Sequence, residues 1–282
     1  MEQNEMSFWD HLEDLRWTIF RSLAALFIFM IALFVFMRGE HGIFDGVIMA
    51  PTRGNFITYQ LFCKAASSFG IVSDFCDTSF WIHIFNIKLA SQFFTHMTTS
   101  FWLALVFTFP YLMYEVWKFI RPALYENEKK SVRWVFLFGT GMFFAGCAVG
   151  YFMVFPVTLR FLATYQISES ITEQVSLESY MDNFLMLIFI MGIMFEMPLL
   201  SWLLSQLGLV NRSLFQKYRR HAVVVLLVLA AFITPSGDPF TLMIVFIPLY
   251  FLFELSAFFV KPAPPSDDEE EDDEYLPEAV TK

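Results

Sequence analysis

The chain has 282 residues, of which 57% are hydrophobic and only 16% are charged, and it contains 37 phenylalanines. This apolar share is far above that of a soluble globular domain and indicates an integral membrane protein. The formal net charge of −10 gives no support to a nucleic-acid-binding role.

Residues 1–17 are predicted to form a cytoplasmic amphipathic segment, in which SFWDHLEDLRW carries five ionisable side chains directly before an apolar run. Helical spacing places Leu12, Leu15 and Ile19 on one face and polar residues, including Asp14, on another. The carboxylates of this segment either keep the end of the helix solvated or bind a cationic ligand.

Runs of about 20 apolar residues predict membrane-spanning helices. Six follow one another: roughly 18–37, 97–117, 133–155, 183–205, 220–234 and 239–260. The fifth is short, and is expected either to lie in thinned lipid or to be sheltered by neighbouring helices. The first lacks a small-residue cleavage site, so we expect it to stay in the membrane. The predicted fold is an all-α polytopic membrane protein with six transmembrane helices.

Basic residues cluster after the second and fourth runs, which predicts that these connections are cytoplasmic. They are Lys118, Arg121, Lys129, Lys130, Arg133, Arg212, Lys217, Arg219 and Arg220. The connection after the third run carries only Arg160, and both termini are then expected in the cytoplasm. The long outside connection, about 38–96, contains SFWIHIFNIKLASQ. This stretch is expected either to lie along the outer interface or to pack over the bundle.

Two cysteines of this outside connection, Cys63 and Cys76, would face an oxidising compartment. Their spacing leaves a disulfide and two free thiols equally open, because it does not show whether the Cβ atoms approach. Cys147, inside the third run, is predicted to be a small core residue. No CxxC, HExxH, GxSxG or P-loop pattern occurs. The sequence therefore predicts no metal site, no cofactor and no enzymatic activity.

Residues 261–282 place nine acidic residues against two lysines, mainly in SDDEEEDDE, and so carry −7 of the net charge. This composition predicts a disordered, self-repelling cytoplasmic tail. A solvated tail is favoured over a docking site for a basic partner.

Ionisable and proline residues within the apolar runs are the next candidates. Glu196 lies at a depth where a charged side chain costs about 2.5 kcal/mol or more to insert. It either forms a structural helix–helix hydrogen bond in its protonated form or serves as a docking or proton-sensitive site.

Asp238, in TPSGDPF, is predicted to cap the following helix. Glu254 is compatible with an ion-paired or snorkelling carboxylate and equally with a functional one. Pro122 is predicted to end the helix that leaves the second run.

Seven stretches occur in this order along the chain: HLEDLR, FFTHM, YEVWKFIRPALYENEKK, YFMVFP, FEMP, TPSGDPF and IPLYFLFE. Together they resemble the TatC family, the core subunit of the twin-arginine protein translocase. The resemblance covers about residues 7–260. It implies a cupped six-span bundle in the bacterial cytoplasmic membrane that recognises signal peptides with two consecutive arginines on folded cargo. It also implies single-span TatA/TatB-type subunits as partners in an oligomeric complex among membrane lipids. Transport would draw on the proton-motive force, because no nucleotide motif is present.

The family pattern places the two acids that read the arginine pair at Asp14 and Glu128. A guanidinium is planar and permanently charged, so a carboxylate can receive it through two parallel hydrogen bonds. The family usually has Glu where this chain has Asp14, so the adjacent Glu13 is a second candidate. Phe119 resembles a family aromatic near the recognition surface, although packing explains it equally well. Glu196 resembles the mid-membrane acid that meets the partner subunits. Structural roles are assigned to Pro51, Pro122, Asp238 and Pro248.

Two other functional classes fit the sequence less well. A proton-coupled small-solute transporter could use Glu196 and Glu254 as carriers, but the sequence lacks the repeated halves that are frequent in such folds. An intramembrane enzyme would need an aspartyl dyad, a Ser-His pair or a metal cluster, and the sequence offers none of these.

Overall fold

The architecture is almost entirely helical. The computed structural model describes residues 8–37, 43–68, 76–77, 79–120, 129–165, 168, 174–206, 208–234 and 237–260. The α-helices in these residues are α1 Phe8–Phe36, α2 Ile57–Ser68, α3 Ser91–Ile120, α4 Lys129–Val149, α5 Phe155–Thr164, α6 Leu177–Met194, α7 Met197–Gln206, α8 Arg212–Ile233 and α9 Pro239–Phe259. They are joined by π-helical turns at Phe44–Ile48 and Gly150–Val154, a 3-10 turn at Ala50–Thr52, and the short parallel strands β1 Ile84–Phe85 and β2 Val175–Ser176.

Five helical stretches are long and apolar enough to cross a membrane. They are Leu12–Phe36, Ser91–Phe119, Phe136–Thr164, Leu177–Gln206 and Pro239–Phe259. These match all the predicted runs except the fifth, and the prediction of an all-α polytopic membrane protein is confirmed. The fifth run lies in α8, whose first half carries four basic residues and lowers its hydropathy. The count of six spans and the cytoplasmic placement of both termini stay predictions.

The third membrane stretch is longer than the sequence predicts. Helix α4 passes through the π-helical turn directly into α5, so helical backbone continues from Lys129 to Thr164. Pro156 follows the π-helical turn directly, and the carbonyl of Phe152, four residues before it, accepts the hydroxyl of Thr58 instead of the N–H that proline lacks. Arg160, predicted to lie in the connection after the third run, lies inside helix α5 and is buried.

The buried core is centred on α6, with side chains from α5, α8 and α9 packed around it. Beside this core, α4 and α6 approach each other at very short range. A Cβ added to Gly146 would lie 2.5 Å from the carbonyl oxygen of Met191. On the opposite helix, a Cβ added to Gly192 would lie 2.7 Å from Cys147 Sγ. Glycine at both positions lets the two backbones approach, as is common between membrane helices. Cys147 is buried, in agreement with its predicted role as a small core residue.

The long outside connection packs over one end of the bundle. The hydroxyl of Thr58 donates to the carbonyl of Phe152, and the Tyr59 hydroxyl lies 2.9 Å from the Pro51 carbonyl oxygen and 3.1 Å from that of Pro156. Strand β1 of this connection pairs with β2, which precedes α6. Within the SFWIHIFNIKLASQ stretch Ile82 is buried, whereas Trp81, Ile87 and Leu89 are exposed, so both arrangements that the sequence leaves open for it stay predictions.

A disulfide joins Cys63 in α2 to Cys76. It closes a loop with a sequence separation of 13 residues within the outside connection. The sequence leaves open whether these cysteines pair, and in the structure they form a disulfide.

Candidate functional site

Asp14 and Glu13 lie near the start of α1, which runs without a break from Phe8 to Phe36. The predicted amphipathic segment and the first span are therefore parts of one helix. Both acidic side chains are exposed. Within the described residues, neither one forms an ion pair or a hydrogen bond. They point about 100° apart around the helix, so Asp14 and Glu13 offer two free carboxylates in different directions.

Helices α1 and α3 lie side by side and antiparallel. At one end of their contact Phe34 stacks on His96, with ring centroids 4.0 Å apart. At the other end Arg21 Nη2 lies 3.3 Å from Glu115 Oε2. Asp14 is two helical turns beyond Arg21, and α3 ends little more than one turn beyond Glu115. Asp14 is therefore placed near the end of α3.

The end of α3 leads towards the second predicted recognition acid. Phe119 is half-buried in the last turn of α3. Glu128 and Pro122 both fall in residues 121–128, which lie outside the described residues. Helix α4 then begins at Lys129. The structure thus places Asp14 and Phe119 at neighbouring helix ends, whereas the position of Glu128 stays a prediction.

The sequence reasoning missed an ion pair inside the predicted spans. Glu115 is only 3% exposed, and its second oxygen accepts a hydrogen bond of 2.8 Å from the Tyr111 hydroxyl. Its ionic partner, Arg21, belongs to a different helix. A usable signal was present, because two consecutive apolar runs each contain one ionisable residue and the charges are opposite. Such residues within spans usually pair with one another.

Glu196 is buried at the turn between α6 and α7, two residues before Pro198. Neither carboxylate oxygen has a hydrogen-bond partner among the described residues. The side chain faces α4, since a Cβ added to Gly139 would lie 3.1 Å from Glu196 Oε2. A buried polar group without a partner is costly. Glu196 is thus a buried acid whose hydrogen-bonding capacity is left unused by the described residues.

Asp238 and Glu254 have partners within the chain. Asp238 Oδ1 accepts a 2.7 Å hydrogen bond from the Thr241 N–H at the start of α9, which is the capping role predicted for it. Arg219 Nη2 lies 2.7 Å from Glu254 Oε2, so Glu254 is ion-paired in the structure. Asp238 therefore caps α9, and Glu254 is ion-paired within the chain.

Pro51 and Pro248 are both buried. Pro51 stands in the 3-10 turn, where its carbonyl accepts the Tyr59 hydroxyl. Pro248 lies inside α9. These positions agree with shaping roles in the outside connection and in the last helix.

A second cluster missed by the sequence forms between α5 and the connection that precedes α3. The guanidinium carbon of buried Arg160 is 4.9 Å from the ring centroid of Tyr59 and 4.6 Å from that of Phe80. Arg160 also donates to the Asp77 carbonyl at 3.3 Å. Hydrogen bonds from Ser79 hold the pKa of the Asp77 carboxyl below its usual value, and burial raises the pKa of Tyr59. This cluster fastens the outside connection to α5. In the described part of the chain, no group of three potential metal ligands is found.

Comparison with known proteins decides the family. A family model described as Sec-independent protein translocase protein (TatC) matches residues 10–248. The chain belongs to the TatC family.

TatC relatives match at moderate identity along most of their length. The Sec-independent protein translocase protein TatC of Blattabacterium sp. subsp. Periplaneta americana is 36% identical over 258 residues, which cover 91% of this chain and 96% of the relative. That of Campylobacter jejuni is 32% identical over 192 residues, covering 68% and 78%. A crystal structure of the twin-arginine translocase receptor TatC in DDM superimposes with a TM-score of 0.69 at 25% identity, covering 89% of this chain and 99% of the other. A role in protein translocation is thereby favoured over small-solute transport.

Proposed function

We propose that this TatC chain is the signal-peptide receptor and core subunit of a twin-arginine export system. It moves folded proteins across the cytoplasmic membrane at the expense of the proton-motive force. The observation that carries the proposal is the free, exposed carboxylate of Asp14 on a helix that enters the membrane unbroken, in a chain of this family. The similar solved protein is itself described as a twin-arginine translocase receptor.

Recognition uses two carboxylates for two guanidinium groups. Asp14 receives one arginine of the signal peptide, and Glu128, assigned from the family pattern, receives the other. Each charge-assisted pair contributes about 1.5–3 kcal/mol. Aspartate is one methylene shorter than the glutamate usual in the family, so the peptide backbone lies closer to α1 here. Phe119, at the adjacent helix end, supplies an apolar contact to the same peptide.

Partner subunits dock at Glu196. Its buried carboxyl group has no hydrogen-bond partner among the described residues. A polar side chain on the single transmembrane helix of a TatA/TatB-type subunit would satisfy this group. An unsatisfied polar group in the membrane is costly. A hydrogen bond from the partner subunit to Glu196 would remove this cost and so favour docking.

A folded reporter protein tests the export role. The reporter carries an Arg-Arg signal peptide, with a Lys-Lys signal as the matched control, in cells that either contain or lack this chain. We expect the Arg-Arg reporter to be exported only when the chain is present, and the Lys-Lys reporter to stay inside. A solute transporter would leave reporter export unchanged when the chain is deleted.

A further inference from the structure

The amino-terminal half of α1 contacts α3 without burying any of its described side chains. No residue from Leu12 to Ala32 is buried, and the first buried side chain after Leu12 is Leu33, near the other end of the helix. A helix with so little buried surface has little packing to fix its rotation about its own axis. In this half, the ion pair between Arg21 and Glu115 is the one salt bridge among the described residues that joins α1 to α3.

This ion pair restrains the rotation of α1 against α3, because the Glu115 carboxylate is buried and held in place. The Glu115 side chain is 4% exposed, and one oxygen is already bonded to the hydroxyl of Tyr111 on the same helix. The Arg21 side chain is 40% exposed and reaches inward from α1. A buried carboxylate that loses its partner is strongly disfavoured. The rotation of α1 that keeps Arg21 on Glu115 is therefore the favoured one.

Helical geometry transmits this rotation to Asp14. Seven residues separate Asp14 from Arg21, so the two side chains lie within about 20° of the same direction and about 10.5 Å apart along the axis. Whatever holds Arg21 against α3 also directs Asp14 towards the end of α3. Glu13, turned about 100° away, is not directed there.

We infer that Arg21 and Glu115 are positioning residues for peptide recognition: their ion pair holds α1 in the rotation that presents Asp14 to an arginine of the signal peptide. The inference rests on the proposed receptor function. It assigns the pair no contact with the peptide. The pair acts only through the direction in which Asp14 points.

The test is a double-mutant cycle on the purified full-length chain in detergent. Binding of a fluorescent Arg-Arg signal peptide is measured for the wild type, Arg21→Met, Asp14→Asn and the double variant. We expect Arg21→Met to weaken binding about tenfold, within the usual range of coupling between sites. In the Asp14→Asn background the same change should weaken binding less than twofold, because the group that is positioned is gone. An equal loss in both backgrounds overturns the inference.

Further variants separate positioning from general stability. Arg21→Lys keeps the charge and should retain most of the affinity, whereas Glu115→Gln should reproduce the loss if Arg21→Met does not fold. Arg219→Met breaks the ion pair with Glu254, on α8 and α9, and should leave peptide affinity unchanged. A loss from Arg219→Met as large as that from Arg21→Met overturns the inference. A wild-type chain that binds Arg-Arg and Lys-Lys peptides equally would instead contradict the receptor function itself.

Discussion

Gly139 of α4 lies directly against the carboxyl group of Glu196: a Cβ built on this glycine would be 3.1 Å from Glu196 Oε2 and 2.5 Å from Leu199 Cδ2. The glycine thus leaves the space that the acidic side chain occupies. The close approach links the shape of α4 to the position of the one mid-membrane acid that has no partner among the described residues.

Gly139→Ala is expected to destabilise the chain and to displace Glu196. The added methyl group must push the end of the buried Leu199 side chain aside and crowds Glu196 Oε2. Overpacking of this kind costs about 1–3 kcal/mol, which exceeds the roughly 1 kcal/mol that alanine gains over glycine inside a helix. Thermal unfolding of the purified protein measures the effect. Gly141 is the matched control, because it is two residues away on the same helix and an added Cβ there meets nothing within 4 Å. Equal melting temperatures for the two alanine variants would contradict the close approach.

Glu196→Leu is expected to abolish co-purification of single-span subunits without lowering the stability of the isolated chain. Leucine removes a buried polar group that has no partner among the described residues, so the free energy of unfolding should stay level or rise by about 1–3 kcal/mol. Glu196→Gln can still form a hydrogen bond and should retain part of the binding. Glu254→Gln, in an acid already paired with Arg219, is the control. Wild-type amounts of subunits with Glu196→Leu would refute the docking role.

Reducing the disulfide between Cys63 and Cys76 is expected to destabilise the outside connection. Cross-links over loops of this size typically contribute about 2–4 kcal/mol. Adding reductant should lower the melting temperature of the wild type. It should not change that of a Cys63→Ala, Cys76→Ala double variant, which serves as the control. A wild type insensitive to reductant, with both thiols open to labelling, would contradict the pairing.

The sequence predicts the membrane helices well because apolar runs of this length have few other uses. It predicts their ends less well. The third predicted run stops at about 155, whereas the π-helical turn carries the helix on to Thr164. Such a turn has no sequence signal of its own, so Arg160 was placed in a connection instead of in the cluster formed with Tyr59 and Phe80.

The candidate site shows the same limit. The residues that matter singly, Asp14 and Glu196, could be proposed from their chemistry and from family resemblance. The pair of Arg21 and Glu115 could not be derived from periodicity, because periodicity describes one helix at a time and the pair depends on how two helices are rotated against each other. For the same reason, the spacing of Cys63 and Cys76 left their pairing open until the fold brought them together.

Recognition by Asp14 predicts that its charge is required, whereas that of its neighbour is not. Asp14→Lys should reduce binding of an Arg-Arg peptide by at least about tenfold, since losing one charge-assisted pair removes about 1.5–3 kcal/mol. Glu13→Lys introduces the same charge change one residue earlier, on a face turned away from the end of α3, and should have a small effect.

The most direct test is photo-crosslinking of an Arg-Arg signal peptide to the membrane-embedded protein, compared across the wild type, Asp14→Lys, Glu128→Lys and Glu13→Lys. The account predicts that crosslinking is lost in the first two variants and kept in the third, and that a Lys-Lys peptide crosslinks to none of the proteins. Wild-type crosslinking by either Asp14→Lys or Glu128→Lys would contradict the assignment of two carboxylates to two arginines.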